Sequence, residues 1–232
     1  MNLNIQNVQE YKPEVLFSAI TEIEEKHKPE QLYALGNIDL LTSAPKVSVV
    51  GSRNVSEEGM RRARSLSKSL VDNGLTVVSG MALGVDTVAH KTAIECDGNT
   101  IAVLGTPLDN PYPKQNTPLF ELIARDHLVI SQFPSGYPSQ PKNFPIRNRT
   151  MALISDATII IEAGEKSGTR HQGWEALRLG RLLFLLENVA NDPKLTWPAE
   201  MIKYGAQVLT RDNLDQLVEH LPQFNARVDV DF

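Results

Sequence analysis

Seven short runs of nearly unbroken apolar residues divide the chain: VSVV at 47–50, LTVVS at 75–79, TIAVLG at 100–105, HLVIS at 127–131, ATIII at 157–161, LLFLL at 182–186 and AQVLT at 206–210. A strand with one wet face alternates apolar and polar residues, whereas these runs do not, so each is read as a strand buried on both faces of a parallel sheet. Helical patterns fill the spaces between them. Residues 56–73 start on Ser56 as N-cap and stop at Asn73-Gly74, and residues 84–97 stop at Asp97-Gly98, where glycine is expected to take the left-handed conformation. Strands alternating with helices specify an open, doubly wound α/β fold whose ligands sit at the carboxyl ends of the strands.

The remaining segments are read around that core. Val15, Leu16, Ala19, Ile20 and Ile23 have helical spacing, so Val8 to Lys28 is expected to be a helix. Residues 1–46 are then a short N-terminal helical extension, 47–222 the core domain and 223–232 a tail. The stretch from Gln132 to Pro145 is a long, proline-rich loop, of the kind that is functional or mobile.

Composition excludes several classes. The 232 residues carry a net charge of -5, so any nucleic-acid site must be a local patch rather than a general basic surface. Cys96 is the single cysteine, which rules out an intrachain disulfide and fits a reducing, cytoplasmic setting. No basic, then apolar, leader opens the chain and no stretch of about 18 apolar residues occurs, so no membrane association is expected. Five histidines without HExxH or CxxC spacing give no metal site, and no cofactor is expected.

Three strands run into glycine turns: Gly51-Ser52-Arg53, Ser79-Gly80 and the Glu162 to Thr169 segment EAGEKSGT. Such turns free backbone amides at a helix N-terminus, where phosphate binds. In the first, Ser52 adds a hydroxyl and Arg53 a planar fork for phosphate. In the third, Gly164, Lys166, Ser167, Gly168 and Thr169 have the composition of a phosphate cradle without the spacing of a Walker A loop. The first turn also lacks the Gly-x-Gly-x-x-Gly of a dinucleotide site. Asp86 and His90, four apart on one helical face, are read either as an acid-base pair or as an orienting contact within the fold.

A further constellation is Lys142, Phe144, Arg147, Asn148 and Arg149 in PKNFPIRNRT. Cations interleaved with an aromatic suit single-stranded nucleic acid, and the alternative makes Phe144 a core anchor and the arginines ion-pair partners. Pro145 suggests a helix start there, which places Arg147 and Arg149 on its first turn, against the helix dipole unless an anion binds.

The segments GSRNVSEEG, SGMALGVDTVAH, GNTIAVLGTPLDNPYPKQN, FPIRNRTMALIS and EAGEKSGT, in that order between about Pro29 and Gly180, resemble the DNA-processing protein A (DprA, also Smf) family. The resemblance implies a Rossmann-like, mostly parallel domain that binds single-stranded DNA, forms a homodimer and helps load the RecA recombinase in natural transformation. It places Arg53 in a basic DNA pocket, with Lys142 and Phe144 as cation and stacking ring. Family members often set that lysine three residues before the phenylalanine, and here the gap is two. RHQGWEALRLGR at 170–181 replaces the usual alanine- and threonine-rich sequence. LTWPAEMIKYGA at 195–206 and the family's C-terminal winged helix have no counterpart. The rival reading is a nucleotide sensor or a nucleotide phosphoribohydrolase. The latter resembles this chain in fold and would use Arg149 and Glu175 as its catalytic pair, although Glu175 lies six residues after Thr169 rather than three. Nothing near the glycine turns supplies a nucleophile, so catalysis is not the leading expectation.

Overall fold

The computed structural model describes residues 8–16, 21–210, 213 and 221. Its nine strands form one sheet, in the order β1-β2-β6-β5-β4-β3-β7-β8-β9. The seven apolar runs are β3 (Lys46–Val50), β4 (Thr76–Ser79), β5 (Thr100–Leu104), β6 (Leu128–Ser131), β7 (Ala157–Ile160), β8 (Leu182–Leu186) and β9 (Gln207–Leu209), all parallel. The two additions are β1 (Gln9–Tyr11) and β2 (Leu32–Gly36), which continue the sheet antiparallel beyond β6. The helices are α1 (Glu22–His27), α2 (Glu57–Asp72), α3 (Val85–Glu95), α4 (Thr117–Asp126), α5 (Asn143–Ile154), α6 (Thr169–Arg178), α7 (Glu187–Ala190) and α8 (Pro198–Lys203), with 3-10 turns at Pro13–Leu16, Ile38–Leu41 and Lys114–Asn116.

Side-chain parity along the strands sorts the core into two layers. Val47, Val49, Val77 and Ile159 pack with Ala63, Leu66 and Leu70 of α2 and with Val85, Ala89 and Ala93 of α3. Their neighbours Val50, Val78 and Ile160 face the other way, onto Met151 and Ala152 of α5 and Ala176 of α6. In β5, Ala102 and Leu104 join the α4 cluster, whereas Ile101 and Val103 face the α5 side. Burial on both faces is why the runs lack alternation.

The N-terminal segment departs from the expected helix over Val8 to Lys28. Its described residues begin as strand β1, pass through a 3-10 turn and enter α1 only at Glu22. Residues 17–20, which carry Ala19 and Ile20 of the apolar spacing, lie outside the described residues. Thr21 and Glu24 form a reciprocal capping box, with Thr21 Oγ1 accepting from the Glu24 amide at 3.2 Å and Glu24 accepting from the Thr21 amide at 2.8 Å, so a new helix starts there. Glu24 is buried and paired with Arg181, which ties the segment to the core.

Helix ends follow the sequence with one change. Ser56 Oγ accepts from the Gly59 amide at 2.9 Å, and Gly74 is left-handed after α2. After α3 it is Asp97 that takes positive φ, at 56°. Gly98 instead makes room for Val71, which a Cβ would strike.

Candidate nucleic-acid interface

The chain enters the parallel sheet at β3, winds outward through β4 to β6, then returns to β7 on the other side of β3. The loops after β3 and β7 therefore part in opposite directions, and the crevice between them is where a doubly wound sheet binds ligands. A cavity of about 560 Å³ occupies it. One wall is the first glycine turn with Arg53. The opposite wall is the third turn, from Gly164 to Thr169, with His171 and Gln172 of α6, and α5 contributes Phe144, Arg147 and Asn148.

The two walls are stapled together. The Ser52 amide donates to Glu162 O at 2.7 Å, and the Glu162 carboxylate accepts from both the amide and the hydroxyl of Ser56. Ser52 O in turn accepts from the Val85 amide at 3.2 Å. The Ser52 amide is therefore spent on the fold, and that turn offers its hydroxyl and Arg53 instead. Gly51 is dictated by packing, since a Cβ there would stand 2.5 Å from Val85 Cγ2. Gly84, with φ of 78°, leaves no room for a side chain beside Ser52 O.

Arg53 is exposed, and its guanidinium sits 5.7 Å from the centroid of the Phe144 ring. That is within cation–π range, so ring and cation hold each other at the rim. Phe144 is half-buried. One edge packs on the end of β5, where a Cβ on Gly105 would come within 2.8 Å of its Cδ1. The ring that anchors α5 on the sheet thus also meets the Arg53 cation at the rim.

The third turn is more open. Ser167 Oγ donates to Thr169 Oγ1 at 2.9 Å and accepts from the Thr169 amide at 3.2 Å, fixing the start of α6. Gly164 and Gly168 have no heavy atom within 4 Å of a would-be Cβ, and neither has positive φ. Lys166 is exposed beside them. Arg53 and Lys166 thus both line the cavity, a local cationic site on an acidic chain.

The second turn plays a different part. Ser79 is fully buried and donates to Val49 O at 2.7 Å. Gly80 is the gap through which Arg147 reaches inward: Nη1 donates to Gly80 O and, at 2.9 Å, to Val103 O. A Cβ on Gly80 would collide with that guanidinium. Arg147 is 6% exposed, and burial works against its charge while nearby Asp86 supports it. Asp86, itself buried in the first turn of α3, accepts from the Ala82 amide of the preceding loop at 3.2 Å, and desolvation raises its pKa.

Helix α5 starts at Asn143, two residues before Pro145, so Arg147 and Arg149 fall in its second turn rather than its first. The expected conflict with the helix dipole is correspondingly weak. Asn148 Nδ2 donates to Gly168 O at 3.5 Å, and Arg149 Nε donates to Glu175 Oε2 at 3.3 Å. Glu175 also binds Arg178, at 2.6 Å. The Arg149–Glu175 pair forms, but neither residue lines the cavity, where a hydrolytic pair would have to act. Lys142 is exposed at the N-cap of α5 and is also absent from the cavity wall.

His90 does not meet Asp86. Its Nδ1 lies 2.7 Å from Thr100 Oγ1 in full burial, and desolvation pulls its pKa down to about 3 from 6.5. The folded chain therefore binds fewer protons than the unfolded one between pH 6.5 and pH 3. Stability present above pH 6.5 is lost on acidification through that window, by roughly 1.4 kcal/mol per pH unit. His127 shifts in the same direction and Asp86 in the opposite one. Urea titrations at pH 7.0 and 4.5 are expected to show a large loss for the parent and a smaller one for His90→Gln; equal losses would acquit His90.

A family model described as DNA recombination-mediator protein A matches residues 8–222. The chain belongs to that family. It is 40% identical over 188 residues to the Smf protein of Synechocystis, covering 80% of this chain and 47% of that one. Against DprA of Streptococcus pneumoniae the identity is 39% over 182 residues, covering 78% and 64%. The chain spans about half to two thirds of the length of these relatives. A solved structure of DNA processing protein A from Helicobacter pylori, described for its single-stranded DNA binding mode, superposes with a TM-score of 0.77 at 27% identity, covering 94% of this chain and 97% of that one. Five collinear motifs made the family legible in advance. His171 was legible only as one of the residues of 170–181 facing an unknown partner, and Gln172 and Tyr112 carry no spacing rule that points to them.

Proposed function

We propose that this member of the recombination-mediator family binds single-stranded DNA in the switch-point crevice, as a DNA-processing protein of uptake and recombination. The observation that carries this reading is Arg53 held over Phe144 on one rim, with the Lys166 to Thr169 turn opposite. Cations follow phosphates and an exposed ring face takes a base, which is how single strands are held without sequence readout. The nucleic-acid contacts are assigned to Gly51, Ser52, Arg53, Phe144, Gly164, Lys166, Ser167, Gly168 and Thr169, with Lys142 an outlying cation. Ser79, Gly80, Arg147 and Arg149 shape the site through the fold. The single-stranded DNA binding described for the Helicobacter pylori relative supports the same reading.

A gel shift comparing oligo-dT with a duplex of equal length tests it. Salt-sensitive binding that favours the single strand is expected, and equal or absent binding would overturn the proposal.

Gly164 and Gly168 carry a second expectation. The fold requires neither, so their lack of a side chain is assigned to close approach of the strand. Gly168→Val is expected to keep stability within about 1 kcal/mol while weakening oligo-dT binding about tenfold or more. Denaturation and fluorescence anisotropy measure the two. Parent-like affinity would place the strand elsewhere.

On the same reading the core of residues 47–222 acts in the cytoplasm as a homodimer that delivers the bound strand to RecA. The family's description as a recombination mediator supports the RecA step. No helix among the described residues is long and apolar enough to cross a membrane.

A further inference from the structure

Phe144 has a neighbour that the groove so described does not use. Tyr112, in the loop after β5, is 51% exposed and stands edge-on to Phe144, with ring centroids 5.9 Å apart and planes inclined by 62°. Leu83, also exposed, joins Tyr112, Pro113 and Phe144 around a notch of about 40 Å³. The notch shares Arg53, Ala82, Phe144 and Arg147 with the main cavity, so the two adjoin. An exposed tyrosine beside an exposed leucine forms an apolar lip on a cationic groove.

The loop that carries Tyr112 is braced. Asp109 Oδ2 accepts from the Ser135 hydroxyl and, at 3.0 Å, from the Gly136 amide. Lys114 Nζ donates to Asn110 Oδ1 at 2.9 Å, and Asn116 Nδ2 donates to Met81 O at 2.8 Å. The ring is therefore presented on a loop clamped at both ends, which lowers the ordering cost of binding against it.

We infer that Tyr112 is a second base-stacking platform: one base lies on Phe144, the adjoining base lies on Tyr112 against Leu83, and the intervening phosphate is held by Arg53. This rests on the single-stranded DNA reading. The inclination of 62° between the rings has a consequence of its own. Bases in a duplex are stacked parallel and cannot occupy both platforms, whereas a single strand can turn between them. Tyr112 thereby contributes to discrimination between single and double strands. A free nucleoside monophosphate has the same chemistry but only one base, so it fills one platform at a time.

The test titrates fluorescent oligo-dT, a duplex of the same length, and competing dTMP and the dinucleotide pTpT against the parent, Tyr112→Ala and Tyr112→Trp. Tyr112→Ala is expected to weaken oligo-dT binding about 5- to 100-fold, with the salt slope and duplex affinity unchanged because no phosphate contact is lost. Tyr112→Trp restores binding. The parent is expected to bind pTpT more tightly than dTMP, and Tyr112→Ala to bind them alike. Parent-like affinity in Tyr112→Ala, a reduced salt slope, failure of Trp to restore, or equal binding of dTMP and pTpT by the parent would each overturn the inference while leaving the groove intact. If the parent shows no salt-sensitive binding of oligo-dT, the groove reading itself fails and takes this inference with it.

Discussion

Arg53→Ala is expected to weaken binding of oligo-dT by about 10- to 100-fold near physiological salt. Arg53 is exposed, and among the described residues its guanidinium meets the Phe144 ring and no carboxylate, which leaves it open to phosphate. A hydrogen bond to a charged group contributes roughly 1.5–3 kcal/mol, and 1.4 kcal/mol is tenfold in affinity. The charge also leaves a second signature. Each phosphate neutralised on a single strand contributes about 0.7 to the slope of log affinity against log salt, so the variant's slope is expected to fall by about that amount. Stability should change by less than about 1 kcal/mol, because an exposed cation–π contact is modest. Anisotropy titrations at four salt concentrations read both quantities, and an unchanged slope would remove Arg53 from the phosphate path.

Arg147 is expected to behave in the opposite way, through the fold rather than through the ligand. Arg147→Met removes two hydrogen bonds to the carbonyls of Gly80 and Val103 and strips buried Asp86 of its nearby counter-charge. Leaving two buried carbonyls without their donor typically costs about 1–3 kcal/mol each, and the lost charge support for Asp86 adds to that. Gly80→Ala should act by the same route, because its Cβ takes the space of the guanidinium. Urea denaturation of both variants checks this. Native-like midpoints would mean that Arg147 is held less firmly than its carbonyl contacts imply, and would return it to the list of phosphate ligands.

The contrast between these two arginines marks the limit of what the sequence discloses. The seven runs from β3 to β9 were legible because burial on both faces writes an unbroken apolar signature. Strands β1 and β2 were not: QEY is three mostly exposed residues, and LYALG is short and closes on a glycine with φ of 101°. The place of β2 in the sheet is set by pairing with Ser131 to Leu128, a partner about 100 residues away, and β1 is added by pairing with β2. In the site, Gly51-Ser52-Arg53 and Gly164 to Thr169 were legible as turns because strand-to-helix passages at glycine are local. Arg147 within RNR reads as a surface cation like Arg149, and only the gap at Gly80, 67 residues earlier, explains its burial. Asp86 and His90 share a helical face, yet sheet packing sends His90 to Thr100 instead. Tyr112 carries no signal because exposure is not written in residue type.

The staple between Ser56 and Glu162 joins positions 106 residues apart. At roughly 5–20 residues per second of synthesis, the second wall of the groove leaves the ribosome ~5–20 s after the first. Through that interval the nascent chain has Arg53 but no opposing turn, and Ser56 has yet to meet its carboxylate. On the proposed reading the groove is therefore completed late, and a product truncated before Gly164 lacks its second wall.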